Sequence, residues 1–242
     1  LLHRAVLTLS SLILAAATAS AQLPQALPNG YALPNGWKIT PVGKSIPTED
    51  LLLNLSPSPD GKVIVAQHGG YNPHGLVVID AATEDAVQRI GLKSAWLGLA
   101  WSNDGTKLYV SGGNASSSRN PTVAPIYVFG YQNGRLSAAP QSEWRDSREP
   151  QKTYGTGLAH HPSTNILYAA NRGDDPTAGT IAAFDTTTGK IVQKIKVDVT
   201  PYDLLITPDG SRLYVSNWSS KSISVIDTAA GKVVKSIPTG HN

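Results

Sequence analysis

Short apolar runs separated by turn-forming residues recur from about residue 50 to the end of the chain. In the last repeat, residues 201–240, four such runs are rich in Val, Ile, Leu and Tyr and are bounded by Gly, Pro, Asp and Ser. Runs of about five or six such residues between turn residues indicate β-strands. The segment therefore predicts a four-stranded antiparallel sheet, and its repetition predicts an all-β propeller with such sheets as blades.

Turn residues place the strands of this last repeat. The sequence TPDG at residues 207–210 suits a type I turn, because Pro favours the second position and Gly the fourth. Asp227 and Gly231 end the third strand, since Asp accepts hydrogen bonds from turn amides and Gly takes positive φ. We interpret Asp209 and Asp227 as turn caps. The predicted strands are residues 204–206, 212–217, 221–227 and 232–238.

Four repeats of this kind follow one another, and Asp60 and Asp104 lie in turns that correspond to the turn at Asp209. Blade two is the irregular one, because an insert at residues 114–125 and a polar run at residues 137–155 interrupt it. Long excursions on a regular scaffold are either functional or neutral insertions, and both interpretations stay open here. The predicted blades are approximately residues 50–92, 95–140, 156–197 and 201–240.

Residues 1–21 have the order of a secretory signal. A basic start at His3 and Arg4 precedes an apolar stretch at residues 5–17 and a small-residue cleavage site at residues 19–21. The apolar stretch is short for a transmembrane anchor, and no basic flank follows it. We therefore expect an exported protein, periplasmic or extracellular, with no membrane span after removal of the signal.

The next two segments lead into the repeats. Residues 22–36 contain three Leu-Pro pairs and two Pro-Asn-Gly turns, and they predict an extended linker because residues before Pro avoid the helical region. Residues 37–47 are similar to the outer strand of the last repeat, but no inner strands precede them. Such a lone strand predicts ring closure, in which an N-terminal strand completes the sheet of the last blade.

Composition and charge narrow the class of protein. The chain has 242 residues, 40% hydrophobic and 15% charged, so it can bury the core of one folded domain and is not disordered. A net charge of +3 without a basic cluster does not indicate nucleic acid as a partner. The sequence has neither Cys nor Met. We expect either a non-standard start codon or a piece of a longer chain.

Local catalytic motifs are missing, since the sequence has no G-x-S-x-G, no H-E-x-x-H and no Walker loop. A metal or phosphate role is open for His68 and His74 in the loop QHGGYNPHG, but loop hydrogen bonding is preferred because no carboxylate stands at ligand spacing. His160 and His161 are interpreted as structural. The acidic loop at residues 171–175 lacks calcium-loop spacing and is interpreted as a solvated turn. No metal and no cofactor is predicted.

The segments LYVSN and SISVIDTAAGKVVKSIPTG and the recurrent PDG turn resemble the YVTN-type β-propeller family over about residues 37–242. The resemblance implies one of three roles: an exported binding protein, a propeller before an alkaline-phosphatase-like phosphoesterase domain, or a relative of the seven-bladed lactonases. The Pro-rich segment before the repeats and the SPSPDG turn most resemble propellers that precede a phosphoesterase domain. On that resemblance, four blades and a closing strand are an incomplete part of a seven-bladed ring, and a catalytic domain is missing.

Strand direction predicts on which side of the propeller a ligand binds. Because strands alternate in direction, the loops between second and third strands share a side with the connections between blades. The turns at Asp60, Asp104 and Asp209 lie on the other side. Convergent polar, cationic and aromatic groups favour the first side as the binding side. The candidate ligand-binding residues there are His68, Tyr71, His74, Asn114, Arg119, Tyr154, Asn171, Arg172, Asp174, Tyr202, Asn217 and Trp218.

Two classes of function agree with these observations. The preferred one is a non-catalytic exported propeller that acts as a binding or interaction scaffold, with an unknown ligand, a protein partner or its own missing C-terminal domain as partner. The alternative is a lactonase-like hydrolase with its site at the mouth of the propeller channel, whose residues converge from several loops without forming a linear motif.

Overall fold

The computed structural model describes residues 24–71, 73–113, 124–146, 154–172 and 179–240. The chain divides into two units, Leu1–Ser45 and Ile46–Asn242. All regular secondary structure in the described ranges is β, which agrees with the predicted fold class. No helix long and apolar enough to cross a membrane occurs in the described part of the chain.

The first unit contains a small antiparallel sheet of β1 (Gln25–Leu27), β2 (Gly30–Ala32) and β3 (Lys38–Ile39). The sequence predicts an extended linker over residues 22–36, but its Pro-Asn-Gly turns reverse the chain and let these strands pair. Gly30 has φ 147° and packs so closely on the Ile39 carbonyl that a side chain would not fit. The predicted signal, residues 1–21, lies outside the described residues, and ring closure by residues 37–47 stays a prediction.

The second unit contains four antiparallel sheets, and three of them have four consecutive strands each. These sheets agree with the predicted fold class of four-stranded antiparallel blades. Blade one has β4 (Leu51–Pro57), β5 (Val63–Gly69), β6 (His74–Asp80) and β7 (Ala86–Leu92). Blade three has β13 (Gly155–His160), β14 (Ile166–Asn171), β15 (Gly179–Asp185) and β16 (Lys190–Val197). Blade four has β17 (Pro201–Ile206), β18 (Arg212–Asn217), β19 (Ser222–Asp227) and β20 (Lys232–Pro238).

Blade two differs because its outer strand is split. Two short strands pair with different ends of the same third strand, one with its last residues and one with its first. The sequence analysis predicts that this blade ends near residue 140, but Ser142–Trp144 still belongs to its sheet. The chain leaves the sheet at Ala139-Pro140, where Pro has no N–H to donate. The strands are β8 (Leu99–Trp101), β9 (Lys107–Ser111), β10 (Ile126–Gln132), β11 (Arg135–Leu136) and β12 (Ser142–Trp144).

Consecutive blades pack face to face through alternate residues of their strands, because successive side chains of a strand point to opposite sides of its sheet. Each interface has its own buried cluster, with Val65 and Phe129 between blades one and two. Tyr109 and Leu167 lie between blades two and three. Ile181 and Leu213 belong to the third cluster, between blades three and four. This packing gives every blade of the unit a fixed orientation relative to the next.

Strand polarity gives this unit two different sides. We call the loop face the side with the starts of the first strands and the ends of the second strands. The turn face is the side where first and second strands are joined by tight turns. Trp218 follows β18 and lies on the loop face, whereas Asp209 follows β17 and lies on the turn face.

Candidate functional site

Four aromatic side chains from three blades form a row on the loop face, which we call the aromatic row: Trp96, Tyr154, Tyr202 and Trp218. Trp96 and Tyr154 precede the first strands of blades two and three, Tyr202 lies near the start of β17, and Trp218 follows β18. The arrangement follows from the blades, because each ring is attached where a strand begins or ends on this face.

The rings contact one another in sequence along the row. The Tyr154 and Trp96 centroids lie 5.4 Å apart at an interplanar angle of 88°. Trp96 and Tyr202 are edge to face at 6.5 Å. Tyr202 and Trp218 stack at 3.9 Å with an angle of 10°. Edge-to-face and stacked contacts are the favourable geometries for aromatic pairs, so the row holds its own shape.

Arg172 adds a cation at the Tyr154 end of the row. Its guanidinium carbon lies 4.8 Å from the centre of the Tyr154 ring, within the range of a cation–π contact. Backbone bonds fix the pair, since Arg172 N donates to Tyr154 O at 3.0 Å and Tyr154 N donates to Asn171 Oδ1 at 3.0 Å. Burial raises the pKa of the Tyr154 phenol and Arg172 opposes that rise, so this phenol stays neutral at pH 7.

The turn at the other end presents Trp218 to solvent, with 61% of its surface exposed. Trp218 N donates to Thr200 O at 2.9 Å, and the Thr200 and Ser219 hydroxyls are 2.7 Å apart. Thr200 has φ 61°, which is costly for a β-branched residue. Strain of this kind persists only where the surrounding structure enforces it, and it concentrates at functional sites.

Trp96 is a member of the row that the sequence analysis missed. Its indole Nε1 is buried and has no acceptor among the residues that the structure describes. Its position in the sequence could have identified it, because Trp96 precedes the first strand of blade two much as Tyr154 precedes the first strand of blade three. An aromatic residue in a connection between blades faces the same side as the predicted loop residues.

The predicted residues of blade one make no described ring contact with the row, although His74 bonds to the residue before Trp96. The sequence assigns His68 and His74 to a loop, but His68 lies in β5, one residue before its end, and His74 begins β6, because these strands extend further than predicted. His68 is 5% exposed, and burial lowers its pKa, which favours the neutral ring. His74 Nδ1 accepts from Ala95 N at 2.8 Å, and its Nε2 lies 3.2 Å from Gly70 O. Tyr71 is fully exposed.

Two of the three predicted asparagines have structural contacts. Asn217 is the last residue of β18 and is 2% exposed. Its amide donates to the Ser224 hydroxyl at 3.0 Å within its own blade, so it lies beneath the surface that a ligand would touch. Asn171 ends β14 and orders Tyr154. The predicted residues Asn114, Arg119 and Asp174 lie outside the described residues.

The turn face repeats one hydrogen-bonded turn in three blades. A Ser or Thr hydroxyl donates to the Asp carboxylate two residues later, at 2.6 Å in blade one and 2.5 Å in blades two and four. These bonds are the largest cause that lowers the pKa of Asp60, Asp104 and Asp209 to about 2. In blade three His161 takes the place of the hydroxyl residue, and its Nδ1 accepts from Ser163 N. The turn-cap interpretation of Asp209 is confirmed.

The described ranges hold a small cavity and a wider cleft, and neither is lined by a residue of the aromatic row. No group of three or more His, Cys, Asp or Glu there is placed to hold a metal ion. A cavity of about 40 Å³ lies between blades two and three beside Ile126, Leu158 and Phe184. A wider cleft of about 490 Å³ beside His68 and Arg89 opens at the edge of blade one. The aromatic row is therefore a surface site rather than a closed pocket.

Comparison with protein families agrees with this architecture. A family model described as "Lactonase, 7-bladed beta-propeller" matches residues 99–236, more than half of the chain. The chain belongs to this lactonase-like propeller family. The match covers most of blade two and all of blade three, and it includes three of the four aromatic-row residues. The resemblance to YVTN-type repeats and the link to a phosphoesterase domain stay predictions.

Solved structures show the same fold at low identity. Hydrazine synthase of Kuenenia stuttgartiensis is 21% identical with a TM-score of 0.62, over 81% of this chain and 51% of that chain. A functionally unknown protein from Desulfotomaculum acetoxidans DSM 771 is 17% identical with a TM-score of 0.60, over 76% of this chain and 55% of that one. This chain thus spans about half the length of both structures. No curated protein matches it.

Proposed function

We propose that this lactonase-like propeller is an exported, non-catalytic scaffold that binds a ligand or a protein partner at the aromatic row. The observation that carries the proposal is the exposed Trp218 indole, stacked at 3.9 Å on Tyr202 and continued by Trp96 and Tyr154. Large aromatic side chains dominate binding energy at many interfaces because they bury much area with few rotatable bonds.

Pre-organisation supports a binding role. Tyr154 is fixed by two backbone hydrogen bonds, and the Trp218 turn is fixed by the strained Thr200. Binding costs free energy when side chains must be ordered, so a row that is already ordered retains more of its contact energy as affinity. Export is supported by the signal-like order of residues 1–21.

A lactonase-like hydrolase is the second candidate, and family membership is the observation that favours it. Its reactive groups would come from several loops of the loop face. The resemblance of residues 37–242 to propellers that precede phosphoesterase domains supports a further proposal, that these blades are the N-terminal part of a longer protein. The gene sequence beyond Asn242 tests that proposal directly, and a stop codon there contradicts it.

One experiment separates the two candidates. The purified chain is titrated with acidic and neutral oligosaccharides, aromatic acids and peptides, and it is assayed against a panel of lactones with and without divalent metal. We expect saturable binding without turnover, and loss of binding in Trp218→Ala. Trp37→Ala is the matched control, because Trp37 is 72% exposed and lies in the other unit. Turnover of a lactone would establish the hydrolase. Binding that is unchanged in Trp218→Ala would show that the aromatic row is not the binding site.

A further inference from the structure

The Trp218 end of the row combines an exposed ring with hydroxyl groups. The indole is 61% exposed, and the hydroxyls of Thr200 and Ser219 lie in the turn that holds it. The Ser220 hydroxyl accepts from Val199 N at 2.6 Å and so belongs to the same turn. A sugar ring suits such a surface, because its C–H face packs on an aromatic face while its hydroxyls bond to polar groups at the rim.

The Tyr154 end carries the positive charge of the row. The Arg172 guanidinium carbon lies 4.8 Å from the centre of the phenol ring, and no described carboxylate forms an ion pair with it. Asp174 and Asp175 are the nearest acidic residues along the chain and lie outside the described residues, whereas two carboxylates close to Tyr202 are already engaged. Asp203 Oδ1 accepts from Leu204 N at 2.9 Å, and Asp198 accepts from the Ser222 and Ser236 hydroxyls at 2.6 and 2.7 Å. A guanidinium in this setting is suited to a carboxylate, which it can bind through two parallel hydrogen bonds.

The spacing between the two ends sets the size of the ligand. Successive centroids from Tyr154 through Trp96 and Tyr202 are 5.4 and 6.5 Å apart, and Trp218 lies 3.9 Å beyond Tyr202. Two rings, Trp96 and Tyr202, thus stand between Trp218 and the Tyr154–Arg172 pair in the series of contacts. A chain of sugar units with a carboxylate away from its first ring suits a surface whose aromatic face and cation belong to different ends.

We propose that the ligand of the aromatic row is an acidic oligosaccharide, with a sugar ring on the free face of Trp218 and a carboxylate on Arg172. This inference rests on the proposed binding function and names the class of its ligand. Single-stranded nucleic acid also stacks on aromatic rings, but it needs a track of cations along its phosphates. The described row has one guanidinium for its length, which favours a ligand of low charge density.

Methyl esterification provides a matched test, because it removes the charge of a uronic acid and keeps its chain. Trimers of galacturonate and of mannuronate, each beside its methyl ester, are titrated into the full chain while tryptophan fluorescence is followed. We expect at least one acid trimer to bind about tenfold more tightly than its ester, as one charge-assisted contact implies. Arg172→Ala should remove that preference and Arg172→Lys should restore part of it.

Variants and outcomes separate this inference from the proposed function. Trp218→Ala should abolish binding of acid and ester alike, whereas Trp37→Ala should change neither. Equal affinity for acid and ester, or tighter binding of oligodeoxythymidine, would overturn the inference. Binding of another ligand class that depends on Trp218, with no sugar bound, would overturn it and leave the proposed function standing. If no class shows binding dependent on Trp218, both fail. Equal urea midpoints establish that every variant is folded.

Discussion

The two faces of the propeller unit differ in how regular they are. On the turn face, the Ser58, Ser102 and Thr207 hydroxyls repeat the same contact to an Asp two residues later. On the loop face, each blade contributes something different: the buried His68 in blade one, Trp96 in blade two and Tyr154 with Arg172 in blade three. The blades thus share their turns and differ in their loops.

This difference separates stability from binding. A feature that recurs in several blades solves a problem that every blade has, which is the reversal between two strands. A feature found in one blade cannot have that explanation. The aromatic row is assembled from such single features, and this distribution is common for proteins in which a rigid scaffold carries functional loops. Changes on the turn face should therefore alter folding, and changes on the loop face should alter binding.

Among changes in the turns, Gly210→Ala should have the largest effect on stability. Gly210 has φ 74°, and a Cβ there would lie 2.5 Å from the His161 ring of the neighbouring blade. We expect the free energy of unfolding to fall by about 1–3 kcal/mol, measured by urea denaturation. Gly91→Ala is the control, because Gly91 lies in a strand and a Cβ there meets nothing within 4 Å. Equal losses in both variants would contradict the special role of the turn.

Thr207→Val should cost about 1 kcal/mol, since it removes a hydroxyl while it keeps the shape of the side chain. That hydroxyl donates to Asp209 at 2.5 Å and accepts from Arg212 N at 3.0 Å. Ser102→Ala in blade two tests the repetition, because Ser102 makes the same two contacts with Asp104 and Lys107 N. We expect both variants to lose a similar free energy of unfolding, measured by urea denaturation. If only one variant loses stability, the two turns are not equivalent.

Acid should remove a smaller contribution from the same turns. The pKa of Asp209 falls from 3.8 to about 2 in the folded chain, so its carboxylate stabilises the fold above pH 4 and loses that effect as pH falls towards 2. The difference in urea midpoint between the wild type and Asp209→Asn should be full at pH 6 and should close near pH 2. A constant difference would assign the effect to geometry rather than charge.

Trp218→Ala should have the smallest effect on stability, below about 1 kcal/mol, because the side chain is 61% exposed. Leu213→Ala serves as the contrast, since Leu213 is fully buried between blades three and four and should cost about 2–5 kcal/mol. Both are measured by urea denaturation. A loss in Trp218→Ala as large as in Leu213→Ala would make the row a structural element instead of a binding surface.

Strand placement was largely predictable from the sequence, and two of the misses have a clear physical reason. Strands β18 and β20 begin and end at the predicted residues because turn residues bound them on both sides. The split outer strand of blade two was missed because Ser142–Trp144 is short and lies in a polar run. The hairpin at Gly30 was missed because Pro pairs were interpreted as a linker, although Pro-Asn-Gly also reverses a chain.

The candidate site was predictable as a face but not as a set of contacts. Strand alternation placed Tyr154, Arg172, Tyr202 and Trp218 on one side, and the structure brings these four together. It could not show that Trp96 joins them, because that contact depends on how three blades pack. It also could not show that Asn217 is buried, since the register of a strand end decides which way its side chain points.

The split outer strand of blade two also bears on aggregation. The last strand of a sheet exposes unpaired N–H and C=O groups, and a long flat edge is a template for pairing with another molecule. In blade two β11 and β12 are too short and too offset to offer such a template. The long outer strands β16 and β20 instead carry several lysines, which oppose edge-to-edge pairing by charge. Blade two on the one hand and blades three and four on the other thus disfavour edge-to-edge pairing by two different means.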